Sequence, residues 1–156
     1  MDLKRDLIPL LLRLALAVFF LWSGIEKLLR LDQFTEDIFN YQILFPPLDT
    51  YLAYLLPWIE IIAALALILP KKIAARGGLI TIAALMIIFI IALGHAWARG
   101  LNINCGCFSS SEEPTNFPFA IARNLGLLLL TLALYPFSQP RRPHQTFDKA
   151  SLILPD

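Results

Sequence analysis

The sequence predicts an all-α polytopic membrane protein: four transmembrane helices in an antiparallel bundle, with a short interfacial helix in the first outer loop. Three observations carry that prediction. Hydrophobic residues make up 58% of the 156 residues and charged residues 16%, a balance far from that of soluble domains and matched by a mean hydropathy of +0.67. Four apolar stretches run over about 7–29, 51–69, 73–97 and 117–137, each near the ~20 residues a helix needs to cross a ~30 Å hydrocarbon core. Their runs of Leu, Ile and Ala lack the period-2 alternation of barrel strands. Lipid offers the backbone no outside partner, so each stretch must close its hydrogen bonds within itself. Residues 1–137 then form one four-helix transmembrane domain, and 138–156, polar, basic and rich in proline, a flexible cytoplasmic tail. A net charge of +1 gives no bulk attraction to nucleic acid, so membrane lipid is the expected surrounding and no nucleic-acid partner is expected.

The first stretch is too long for a signal peptide and ends in Glu26-Lys27-Leu28-Leu29-Arg30 without a small-residue cleavage site, so it reads as a retained span. In the second, Pro57 and Trp58 place Tyr51 to Leu56 at the interface, with the crossing starting near Pro57. Between these two, Leu31, Phe34, Ile38 and Tyr41 recur at helical spacing, with Asp32 as N-cap and Phe45-Pro46-Pro47 as a stop. That pattern predicts a short helix lying on the membrane. Asn116 caps the fourth span, and Pro118 fits its first turn. Lys4, Arg5, Lys71, Lys72, Arg76, Arg141, Arg142 and Lys149 fall on one side, against Lys27, Arg30 and Arg99 on the other. This asymmetry places both termini in the cytoplasm and Cys105 and Cys107 on the periplasmic or outer side of a bacterial inner membrane.

Those two cysteines are the whole complement of the chain and are separated by one glycine. An oxidising location favours redox chemistry. A bridge between residues i and i+2 must meet the usual ~4.4–6.8 Å Cα separation, and Gly106 gives the backbone the freedom to try. So small a ring raises the reduction potential, and closing so short a loop removes little unfolded-state entropy. A bond made and broken in turnover suits this pair better than a structural staple. The alternative from a different class is a non-enzymatic membrane assembly factor whose CxC is a structural or metal-binding clasp, although soft-metal sites ordinarily need three or four ligands. A transporter is a third reading; it needs a polar path, and the inner halves of the spans contain only Arg13.

Ionisable residues within spans are costly and mark candidate sites. Glu26 and Lys27 close the first span, Glu60 lies in the second, His95 and Arg99 stand one turn apart on the third, and Arg123 lies early in the fourth. All sit toward the side of the cysteines. His95 and Arg99 are expected to favour a thiolate nearby, and Glu60 to pair with Arg123 if its role is structural. Arg13 is expected to snorkel toward the inner face. A quinone among the outer helix ends would find hydrogen-bond partners in His95, Arg123 or Lys27 and a ring partner in Trp22 or Trp97. Trp22, Trp58 and Trp97 also suit plain interfacial anchoring.

Trp22-Ser23-Gly24-Ile25-Glu26-Lys27-Leu28, Pro57-Trp58-Ile59-Glu60 and Asn104-Cys105-Gly106-Cys107-Phe108, in that order over four spans, resemble the MauE branch of the DoxX-like membrane proteins. The resemblance covers about residues 7–137. It implies Cys105 and Cys107 as a redox pair and Glu26, Lys27 and Glu60 as motif positions. It further implies a periplasmic thioredoxin-fold partner in disulfide formation, an association with methylamine utilisation and, through the wider family, a link to quinone. The expected function is that of a membrane thiol-disulfide oxidoreductase: Cys105 and Cys107 are catalytic, and a quinone cofactor sits near Trp22, Glu26, Lys27, Glu60, His95, Arg99 and Arg123. Between the two cysteines, Cys107 is expected to be the exposed thiol.

Overall fold

A computed structural model describes residues 3–101 and 116–138, with side chains from residue 7 onward. The described residues form α1 (Leu3–Leu29), α2 (Leu31–Asn40), α3 (Leu48–Ile68), α4 (Lys72–Ala98) and α5 (Phe117–Leu134), followed by a 3-10 turn at Pro136–Ser138. Four of these helices are long and apolar enough to cross a bilayer: Leu7–Leu29, Leu48–Ile68, Lys72–Ala98 and, with its terminal turn, Phe117–Ser138. The sequence expectation of an all-helical membrane protein is met. The cysteine loop and the tail from residue 139 lie outside the described residues.

The helices pack in the order α1, α3, α4, α5, while α1 and α5 barely touch. Leu16, Ala17 and Phe20 of α1, Ala63, Ala64 and Leu67 of α3, Leu79, Ile82 and Met86 of α4, and Leu134 of α5 form the central core. Small residues at these seams let backbones approach, which is where helices in lipid gain contact energy. Gly78 shows the limit: a Cβ there would stand 2.7 Å from the carbonyl oxygen of Ala63. The outward faces carry exposed Leu11, Val18, Ile62, Ile80, Ile91 and Leu129, an apolar belt that a water-soluble surface would not hold.

One local expectation is corrected, and two others gain detail. Helix α3 runs from Leu48 through Pro57 without interruption, so the residues expected at the interface are helical. Pro57 is buried against α1 at Gly24, so packing holds the helix where proline alone would break it. Asp32 does not cap α2. Arg30 occupies the cap position without a side-chain bond, and Asp32 lies in the first turn, where its charge suits the positive end of the helix. The apolar stripe of α2 packs on the bundle: Phe34 lies with Ala53, Leu56 and Leu85, and Tyr41 with Leu93, Ala96 and Ala120. The bundle offers α2 a closer-packed partner than lipid does. Asn116 does cap α5, its side-chain oxygen accepting from the Phe119 N–H at 3.4 Å.

Side-chain ties place the ends. Arg13 Nη2 donates to the Leu69 carbonyl at 3.1 Å, and Arg76 donates to the Tyr135 hydroxyl at 2.8 Å. The start of α1, the α3–α4 turn and the end of α5 therefore share one end of the bundle. Arg99 donates to the Gln42 side chain at 3.0 Å, and Leu101 and Phe117 pack beside Tyr41, so α2 and the two residues bracketing the cysteine loop share the other.

Candidate functional site

The first two motifs meet face to face. Ser23 and Lys27 stand four residues apart on α1, which puts them on one face, and α3 presents Glu60 to that face. Lys27 Nζ lies 2.6 and 2.7 Å from the two carboxylate oxygens of Glu60 and donates to Ser23 Oγ at 2.9 Å. The Ser23 hydroxyl donates to Glu60 Oε2 at 3.4 Å. All three ammonium protons thus have acceptors, and the side chains of Lys27 and Glu60 are only 4% and 1% exposed. The rings of Phe34 and Phe89 flank the ammonium, with centroids 5.5 and 5.3 Å away, within the range of cation–π attraction. Gly24 makes the meeting possible: a Cβ there would stand 2.7 Å from Ile61 Cγ1 and 3.1 Å from the Pro57 carbonyl oxygen.

The pairing expected between Glu60 and Arg123 does not occur; Glu60 is taken by Lys27. Arg123 is half-buried on α5. Glu26, next to Lys27, turns away from this face and is partly exposed. Trp22 and Trp97 are exposed on α1 and α4, at 67% and 56%. His95 and Arg99 are exposed one turn apart on α4, with Arg99 held by Gln42. The structure therefore brings together Lys27 and Glu60, and leaves Trp22, His95 and Arg99 on outward faces. Cys105 and Cys107 lie outside the described residues.

Sequence reasoning named Lys27 and Glu60 but assigned nothing to Ser23 or to the rings of Phe34 and Phe89. The i, i+4 spacing of Ser23 and Lys27 was a legible signal; the rings were not, since they come from α2 and α4. Asn124 was also missed. It is 3% exposed on α5, and its Nδ2 has no acceptor among the described residues. Outside the spans, Asp37 of α2 is buried, and burial, aided by the neighbouring Glu36 charge, pushes its carboxyl from 3.8 up to about 6.

A profile of the family described as methylamine utilisation protein MauE matches residues 5–137. The chain is 31% identical to a methylamine utilization protein MauE of Paracoccus denitrificans over 126 residues, 79% of this chain and 66% of the relative. It is 29% identical to the protein of that name from Methylorubrum extorquens over 133 residues, 85% of this chain and 70% of the relative. For that of Methylophilus methylotrophus the identity is 33% over 117 residues, 70% of this chain and 58% of the relative. The chain thus spans about two thirds of the length of these curated relatives. No solved structure matches it. With four spans and a match that runs through all of them, the chain belongs to the MauE family.

Proposed function

We propose that this protein is a membrane accessory factor of the kind its relatives' shared name describes, and that it acts by thiol–disulfide exchange at Cys105 and Cys107. The observation that carries the reading is placement. The only two cysteines of the chain fall in sequence between Leu101 and Asn116, and Leu101 and Phe117 sit at the end of the bundle where α2 and Arg99 lie. A soluble thioredoxin-fold partner on that side would meet the pair directly.

In the direction that oxidises the partner, a partner thiolate attacks one sulfur of the Cys105–Cys107 disulfide and a mixed disulfide forms. The other cysteine leaves as thiolate. The second partner thiolate then resolves the mixed disulfide, so the partner gains a disulfide and Cys105 and Cys107 become a dithiol. Restoring the pair removes two electrons and two protons. A membrane quinone, bound at this end, would supply a two-electron acceptor. Lys27 and Glu60 are buried and paired with each other, so we assign them to the frame of the site and direct contact to more exposed residues. His95, Trp22 and Arg99, exposed on the surface of the bundle, are the residues to hold it, together with Arg123. Arg99 and His95 also contribute positive charge or hydrogen-bond donors that favour a thiolate. The Lys27–Glu60 pair holds α1 to α3 and so sets the frame from which α2 and α4 reach the loop.

The test is a redox titration of purified protein, with free thiols trapped by a mass tag across a series of glutathione potentials. Cys105 and Cys107 are expected to titrate together as a two-electron couple at a potential above that of structural disulfides, which lie below ~−300 mV. Thiols that never pair, or a bond that resists reduction throughout, would overturn the reading in favour of a clasp.

A further inference from the structure

At the end of the bundle opposite α2, the seam between α1 and α5 opens into a cleft of about 340 Å³. Pro9 and Leu10 of α1 wall one side and Leu134 and Phe137 the other; Arg13 and Lys72 contribute the charge. Among the described residues, no acidic side chain lines it. Arg13 donates one N–H to the Leu69 carbonyl, which draws its guanidinium toward the end of the bundle as snorkelling requires. Its Nε is buried without an acceptor among the described residues. Lys72 is exposed at the first turn of α4, and the cap residue Lys71 makes no side-chain bond to that turn. The leading N–H groups of α4 thus add their partial positive charge to the same end.

A cationic floor with an unfilled donor, between apolar walls whose Leu10 and Phe137 are exposed, has the chemistry of a phospholipid head and the upper part of its chains. We propose that this cleft binds an anionic phospholipid, with its phosphate on Arg13 and Lys72 and its acyl chains along Leu10, Leu134 and Phe137. Basic pockets between transmembrane helices take such headgroups elsewhere. The chain's own continuation is the poorer occupant, because Ser138 is followed by Gln-Pro-Arg-Arg-Pro-His, with no acidic residue before Asp148. That sequence would add positive charge beside Arg13 and Lys72.

The full chain in mild detergent would be compared with Lys72→Gln, with Arg13→Gln/Lys72→Gln and with the control Lys71→Gln, one residue outside the cleft. Binding of phosphatidylglycerol, phosphatidylcholine and inorganic phosphate would be read by the shift in melting temperature and by co-purifying lipid. Phosphatidylglycerol alone should stabilise the wild type, with apparent affinity falling about fivefold for each cleft cation removed and unchanged in Lys71→Gln. Lys72→Gln keeps the Arg13–Leu69 bond, so it reports on binding even if the double variant does not fold. Equal stabilisation by phosphatidylcholine or by inorganic phosphate would overturn the proposal. So would unchanged binding by Lys72→Gln, or phosphatidylglycerol binding that appears only in a chain cut after Ser138, which would assign the cleft to residues 139–156.

Discussion

The closed contact between Lys27 and Glu60 has an energetic signature that separates it from a surface pair. Each charge is out of solvent; each is stabilised by the other and by Ser23, with the Phe34 and Phe89 rings beside the ammonium. Removing one partner leaves a buried charge without compensation, whereas replacing both by apolar side chains removes the desolvation cost along with the attraction. Lys27→Met or Glu60→Leu alone is therefore expected to destabilise the protein by ~3–5 kcal/mol, and the double variant to recover most of that loss, as read by thermal unfolding in detergent. Recovery no better than the sum of the single changes would show that the two residues act independently. Asp37 makes a prediction of opposite pH sense from ordinary paired carboxylates. Its carboxyl is raised from 3.8 to about 6 in the folded protein, so between those values the folded state holds more proton than the unfolded one. Its contribution to stability is present at low pH, falls as pH rises from about 4 to 6 and is level above that. Asp37→Asn should flatten that part of the stability–pH curve.

At the scale of elements, glycines divide into those that permit contact and those that do not. Gly78 faces a backbone carbonyl that cannot move aside, at 2.7 Å from where its Cβ would stand, while Gly126 has open space. Gly78→Ala should push α4 from α3 and destabilise by ~1–3 kcal/mol; Gly126→Ala should be neutral or stabilising by up to ~1 kcal/mol, because alanine is the better helix former. Matching effects at the two sites would mean that α3 and α4 do not meet as described. The run of α3 through Pro57 belongs to the same argument. Hydropathy marks an apolar stretch there, while the close approach of α1 to α3 at Gly24 and Pro57 is a contact that no local pattern encodes.

For the whole molecule, the antiparallel order places Lys71 and Asn40 at opposite ends of the bundle. In a chain with Cys105→Ser and Cys107→Ser, single cysteines at Lys71→Cys and Asn40→Cys should react with an impermeant maleimide from opposite faces of sealed vesicles, with Asn40→Cys labelled from the periplasmic face. Labelling of both from one face would overturn the arrangement of ends. The bundle is also unevenly closed: α3 joins α1 to α4 through the core, but α1 and α5 barely touch. That asymmetry is what leaves a cleft at one end and lets α2 fold over the other.

The sequence alone determined that the chain is helical and crosses lipid, how many times it does so, and where its cysteines stand in the order of spans. These follow from apolar content, length and the need to close backbone hydrogen bonds, all of which act within one segment. Lys27 and Glu60 were visible as ionisable residues in spans for the same reason. Tertiary structure decided that Glu60 answers Lys27 and not Arg123, that the stripe of α2 packs on the bundle, and that Trp22 and His95 face outward while Ser23 faces in. Each of these depends on the rotation and closeness of one helix against another, set by Gly24, Gly78 and the alanines between them, and a single strand of hydropathy carries no record of which neighbour a face will meet.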